Sequence, residues 1–161
     1  MSRKQTFERI YAENLWGDPE SRSGPGSSIL RTRLLRPALT QLFHEIGIRS
    51  ILDLPCGDFN WMRLTDLTGI SYTGADIVPN IVDRNNALYS NASRQFVSLD
   101  MTTDPLPTAE LILCRDGLVH FSFSDAGQRG HRDRRMAASE SSEAAVFVSA
   151  LQTSCMGRPK A

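Results

Sequence analysis

The sequence contains no run of about 18 apolar residues, the length that a membrane-spanning helix needs. Its N-terminus, MSRKQTFERIYAENLW, lacks the apolar stretch of a secretory signal. Cysteine is scarce. Cys56, Cys114 and Cys155 are widely spaced and form no C-x-x-C pair, so they offer no disulfide framework. Together with His44, His120 and His131 they also fail to supply the paired ligands of a zinc site. A reducing, cytoplasmic setting is the expectation. No charge of either sign is in excess, with 18 Lys plus Arg against 18 Asp plus Glu. A uniformly basic nucleic-acid binder is therefore not indicated. Glycine-rich phosphate loops are missing too. There is no G-x-x-x-x-G-K-[ST], which excludes a P-loop NTPase, and no G-x-G-x-x-G, which argues against a dinucleotide-dependent oxidoreductase.

What is present suits one domain of 161 residues with an apolar content of 40%. Residues 6–14 have the spacing of a short amphipathic helix, with Phe7, Ile10 and Tyr11 on one face. The Gly-, Pro- and Ser-rich segment 16–28 is either a surface connector or a loop closing over a ligand with Trp16 as its apolar anchor. Ser27 or Ser28 is a candidate N-cap for a helix over 29–46. Within it, Pro37 predicts a kink or the start of a second helix, and Gly47 a stop. Apolar runs then alternate with helix-like stretches. Strands are expected at 49–54, 70–77, 94–99 and 110–114, with a helix at 81–89. Trp61, Met62 and Leu64 are expected either to pack a helix after the first strand or to wall a pocket. This alternation predicts an α/β fold: a Rossmann-like parallel sheet with helices on both faces.

Asp53, Asp76 and Asp100 each fall at or near the carboxyl end of an expected strand. Ligands of open parallel sheets bind beyond those ends, and a cluster of carboxylates there needs partners. Each acid could also serve merely as a turn or cap residue. As a set they point to a nucleoside. Asp76 would accept both ribose hydroxyls, Asp100 would face an adenine edge, and Asp53 would hold the following turn or a cationic ligand group. Gly57 lets a ligand approach the backbone at one point.

The stretches DLPCGDFNW, YTGADIVPNIVDRN, FVSLDMTTDPLP and LILCRDGLVHFSF resemble, in that order, the motifs of class I S-adenosylmethionine-dependent methyltransferases. The likeness is to a bacterial branch with a PCGDFNW-type first motif, and it covers residues 7–124. It implies S-adenosyl-L-methionine as cofactor and transfer of a methyl group to an unidentified acceptor, a small molecule or a macromolecule. Carried over, the family pattern D-x-G-x-G-x-G falls on Asp53, Pro55, Gly57 and Phe59, so two motif glycines are replaced. Cys56, Gly57 and Asp58 would line the methionine part, and Asp76 would hold the ribose with Ile77 against the adenine. Asp100 and Met101 would border the adenine's other side, and the fourth motif would be Cys114-Arg115-Asp116. A ligand with a sulfonium cation and no phosphates suits an acid-rich cleft.

Asp116 and His120 are the candidate general bases, although displacement at an activated methyl can proceed by positioning alone. Cys56 reads as a packed thiol rather than a nucleophile, for want of a partner in sequence. Arg129, Arg132, Arg134 and Arg135 form either a solvated run or a phosphate-binding patch. The chain thus divides into a helix and cap segment at 1–28, a nucleoside-binding core at 29–124 and an atypical tail at 125–161. The family sheet has three further strands that the tail cannot supply, apart from a short apolar run at 145–151. A truncated or out-of-frame end is the expectation, with a natural short form that has a rearranged end as the alternative; a disordered 125–142, a run at 145–151 able to add itself to the open sheet edge, and self-association through that edge go with it. A non-catalytic nucleoside-binding module is the alternative to an enzyme.

Overall fold

The computed structural model describes residues 1–117 and the backbone of 146–150. His120, the four arginines of 129–135 and the rest of the tail lie outside the described residues. Helix α1 (Arg3–Glu13) is fixed at its start by a capping box, in which the Ser2 hydroxyl accepts from the Gln5 amide and the Gln5 side chain accepts from the Ser2 amide. It ends at Asn14 in the left-handed conformation, φ 50°. Helix α2 (Leu35–Glu45) ends in a Schellman arrangement. The Ile48 amide reaches the Phe43 carbonyl at 3.0 Å and the Gly47 amide the His44 carbonyl at 3.3 Å, around the left-handed Gly47.

Strands β1 (Ser50–Asp53), β2 (Ser71–Asp76), β3 (Arg94–Ser98), β4 (Leu111–Arg115) and β5 (Val146–Ala150) form one parallel sheet in the order β3-β2-β1-β4-β5. Helix α3 (Pro79–Tyr89) carries the chain from β2 to β3. The chain leaves β1 toward β3 on one side and returns to β4 on the other. Between β1 and β4 the carboxyl ends therefore open onto the crevice where ligands of such sheets sit.

In this register Ile51 lies beside Tyr72 and Leu111, and Asp53 beside Gly74 and Leu113. That face buries Ile51, Tyr72, Phe96, Leu111 and Leu113 against Leu39 and Phe43 of α2 and Val82 of α3. Phe59 fills its centre, with ring centroids 5.2 Å from Tyr72, 5.3 Å from Tyr89 and 5.1 Å from Phe96. Burying such a ring stabilises the fold by roughly 1.5–3 kcal/mol.

Three expectations are corrected. No α-helix follows β1. A single 3-10 turn, Met62–Leu64, stands in its place, because Asp66, Thr68 and Gly69 break the chain soon afterwards. Trp61 and Met62 are buried, whereas Leu64 is exposed. Neither Ser27 nor Ser28 caps α2. The Thr32 hydroxyl bonds back to the Ser28 and Ile29 carbonyls and holds 29–34 in separate turns, so α2 starts at Leu35 with Pro37 in its first turn, where a missing N–H costs nothing. The described helices that pack on the sheet, α2 and α3, share one face. The other face is covered by the segment after β3, through Leu99, Met101, Leu106 and Ala109. Its Pro105 and Pro107 disfavour a helix there. The apolar run at 145–151 does add itself to the sheet edge: β5 pairs along β4 from Leu111–Val146 to Arg115–Ala150.

Candidate functional site

A cavity of about 410 Å³ opens at the carboxyl ends of β1, β2 and β4. Asp53, Asp76 and Asp100 all line it, so the acids read at the strand ends do converge. Its wall on the β2 side is apolar, built from Ile77, Val78 and Ile81. Leu99 and Met101 line it from the end of β3, while Phe7, Tyr11 and Trp16 face it from the N-terminal segment.

The segment 16–28 is thus a wall of the cleft rather than a detached connector. Asp58 fastens it. Its carboxylate accepts the Ser21 hydroxyl at 3.0 Å from both oxygens and the Arg22 amide at 2.9 Å, while its own amide donates to the Ser23 hydroxyl at 2.8 Å. Asn60 ties the same turn to Glu20 and to the Ser27 carbonyl. Asp58, expected beside the ligand, does not line the cavity, because its carboxylate is occupied by this clasp. Gly57 borders the cavity and has a further reason to be glycine. Its φ is +55°, and a Cβ there would meet the Ser23 side chain, with Ser23 Cβ at 2.9 Å. The close approach is made by the chain itself. Gly57→Ala is expected to destabilise the protein by roughly 2 kcal/mol, from the left-handed backbone and the displaced clasp. Denaturant titration of the two proteins checks it, and an unchanged midpoint would show that Ser23 yields freely.

Asp76 is buried yet borders the cavity. It accepts the Gly57 amide at 3.1 Å and the Val78 amide at 3.0 Å, one on each carboxylate oxygen. The turn after β1 and the start of α3 are therefore both set by this one side chain. Burial raises its pKa to about 6, against the opposing pull of the backbone hydrogen bonds. Asp53 accepts the Tyr72 hydroxyl at 2.6 Å and is 2% exposed. Burial pushes its pKa to about 7, although Tyr72 and the Arg115 charge pull it down. The Asp100 carboxylate accepts from the Thr102 amide and hydroxyl at 2.8 and 2.6 Å and lies 3.7 Å from the Arg3 guanidinium, which also reaches Thr102. Arg3 thereby straps α1 across the mouth. The Cys56 thiol is buried and held well above its ordinary pKa, by burial first and then by Asp76 and Asp53, so it is no nucleophile. Asn85 of α3 donates to the Gly57 carbonyl at 2.8 Å and completes the turn.

At the β4 end, Arg115 lies over Trp61 at 5.4 Å, donates to the Gly26 carbonyl at 2.9 Å and pairs with Asp116 at 3.2 Å. Asp116 adopts φ 56°, a backbone that a non-glycine residue takes at a cost, and both residues line the cavity. Of the expected site residues, Asp53, Cys56, Gly57, Asp76, Ile77, Asp100, Met101, Arg115 and Asp116 are brought together here. Tyr72, Ser23 and Arg3 were not singled out from the sequence. Tyr72 emerges only from the register that sets β2 beside β1. No group of three or more His, Cys, Asp or Glu side chains among the described residues could hold a metal. Nor is any helix among them long and apolar enough to cross a membrane.

No protein-family model and no curated protein matches the sequence. Solved structures do match the fold. A magnesium protoporphyrin IX methyltransferase from Synechocystis, solved with bound S-adenosylhomocysteine, superposes with a TM-score of 0.55 at 13% identity over 81% of this chain and 65% of its own. A protein from Pyrococcus horikoshii gives 0.53 at 22% identity, over 80% of this chain and 59% of its own. An amino pentose methyltransferase of calicheamicin biosynthesis from Micromonospora echinaspora, solved with bound S-adenosylmethionine, gives 0.51 at 17% identity over 70% and 48%. The chain thus spans less than two thirds of each of these proteins. The architecture is the Rossmann-like α/β fold that these structures share.

Proposed function

We propose that the cleft binds S-adenosyl-L-methionine and that the chain is a methyltransferase, or the cofactor-binding part of one, acting on an acceptor still to be identified. The observation that carries this reading is Asp76: a buried carboxylate at the end of β2, bordering the cavity and clamping the turn after β1. The Gly57 and Val78 amides each take a lone pair, one on each oxygen, and the Ile77 amide adds a weaker pull; the acceptor capacity that remains would serve the hydroxyls of a ribose. The donor set fits the rest of the ligand. Ile77, Val78 and Met101 offer apolar surface to an adenine ring, and Asp100 stands where the ring's edge would fall. Cys56 and Gly57 line the methionine side, where Arg115 is a cation for its carboxylate. When bound, the cofactor would supply a methyl group already activated on a sulfonium sulfur.

The contribution of this chain is to orient and to exclude water, through the N-terminal wall of Phe7, Tyr11 and Trp16. Asp116, which lines the cavity, would be the group that takes a proton from an acceptor hydroxyl or amine. Its ion pair with Arg115 favours a second reading, in which the cleft binds the nucleoside without transfer. Titration calorimetry tests the cofactor assignment. Heat is expected with S-adenosylmethionine and S-adenosylhomocysteine and none with NAD, and tight NAD binding without a response to either sulfur nucleoside would overturn it.

A further inference from the structure

Tyr72 and Asp53 form a polar pair inside a largely apolar face of the sheet, where Arg94 of β3 lies beside Tyr72 with its guanidinium 5.0 Å from the Phe59 ring. Tyr72 is 1% exposed, and its ring is fixed by Phe59 at 5.2 Å and Phe96 at 5.9 Å. Its hydroxyl takes Asp53 Oδ2 and is the one hydrogen-bond donor to that carboxylate among the described residues. Asp53 in turn lines the cavity floor at the crevice between β1 and β4. The charged or titratable groups facing it are Tyr72 and Asp76 from β2, Arg115 from β4 and Cys56 from the following turn. Phenylalanine would fill the aromatic cluster as well as tyrosine does, so the packing alone does not call for a hydroxyl.

We propose that Tyr72 is a positioning residue that holds Asp53 as the counter-charge for a cationic group of the ligand, so that binding releases a proton from the Asp53 carboxyl. This rests on the cofactor reading above. In the ligand-free cleft Asp53 is desolvated and its carboxyl titrates at about 7. A cation brought against it favours the carboxylate, and the displaced proton passes to the buffer. The Tyr72 hydroxyl shares in this by stabilising the ionised form. Removing the hydroxyl leaves the same shape but lowers the ionised fraction near neutral pH.

The test measures binding of S-adenosylmethionine and S-adenosylhomocysteine by calorimetry, from about pH 5.5 to 9, to the full chain and to Tyr72→Phe. Affinity of the unaltered protein should rise with pH up to about 7, with a heat that depends on the buffer's ionisation enthalpy, and fall again above about 8 as the ligand's own ammonium loses its proton. The Tyr72→Phe profile should move to higher pH, with affinity about tenfold weaker near neutrality and converging in alkali. A pH dependence seen with both ligands assigns the cation to the shared ammonium; one seen with S-adenosylmethionine alone assigns it to the sulfonium. A loss in Tyr72→Phe that is uniform across pH, or no pH dependence in the unaltered protein, overturns the proposal. Asp53→Asn provides a second variant, in which the proton release around pH 7 should vanish and only the part that Asp76 contributes at about pH 6 should remain; an unchanged profile would overturn it as well. If neither ligand binds at any pH, the cofactor reading fails, and carbon NMR of the ligand-free proteins still decides the pair. The Asp53 carboxyl should titrate at higher pH in Tyr72→Phe, and an identical midpoint would refute the role of Tyr72.

Discussion

Replacing Asp76 with alanine is expected to lower affinity for S-adenosylhomocysteine by about a hundredfold or more. Two charge-assisted hydrogen bonds to ribose hydroxyls are lost, each worth roughly 1.5–3 kcal/mol, and about 1.4 kcal/mol already corresponds to a factor of ten. A second loss compounds the first. The Gly57 and Val78 amides now held at 3.1 and 3.0 Å are left without their acceptor, so the turn after β1 and the start of α3 lose their common reference point. Removing a buried carboxylate also relieves its desolvation, which offsets part of the cost of the orphaned amides. Stability should therefore change much less than affinity does. Calorimetry and thermal denaturation of the same preparation separate the two. A normal affinity in Asp76→Ala would mean that the end of β2 does not hold the ligand.

Stability of the ligand-free protein should fall as pH rises from about 4 to about 7. The direction follows from two acids whose folded-state values lie above the ordinary 3.8, Asp53 at about 7 and Asp76 at about 6. Between those limits the folded protein retains protons that the unfolded chain has already released. The unfolded state thus binds fewer protons, and the free energy of unfolding declines with pH. Below about 4 both states are protonated and the effect is absent, whereas above about 7 it is complete. Asp53 alone accounts for a loss on the order of 4 kcal/mol. Urea unfolding across this range measures it directly. Stability that climbs from pH 4 to 7 would show that the two carboxyls are better solvated or better paired than their burial indicates. A bound cation should recover part of the loss, so ligand-induced stabilisation should be larger at pH 8 than at pH 5.

The parallel sheet was legible because β1 to β4 are short apolar runs bounded by Gly, Pro, Asp and Asn, and their observed ends lie within one residue of those expected. The convergence of Asp53, Asp76 and Asp100 was legible for the same reason, since an acid at the end of a parallel strand has only the crevice to face. Tertiary pairing was not legible. Asp58 stands in the middle of the first motif and looked like a ligand residue, but its partners Ser21 and Arg22 lie more than thirty positions away in a segment without periodicity. Tyr72 read as an ordinary strand residue, because its bond to Asp53 depends on the β1–β2 register. The missing helix after β1 reflects a local competition: Trp61 and Met62 bury themselves from a single turn, and Asp66 and Gly69 end it before a second can form. The closing of the β4 edge by 146–150 followed an apolar run visible in the sequence, whereas its parallel register did not.

The central claim is that a sulfur nucleoside sits at the carboxyl ends of β1, β2 and β4, and amide chemical shifts in nitrogen-15-labelled protein titrated with S-adenosylhomocysteine test it most directly. The amides of Cys56, Gly57, Val78 and Met101 should shift together and saturate at one affinity, while Thr68, Ser93 and Arg94, at the opposite end of the sheet around a separate polar pocket, should stay in place. Shifts confined to that opposite end, or none at millimolar ligand, would contradict the account.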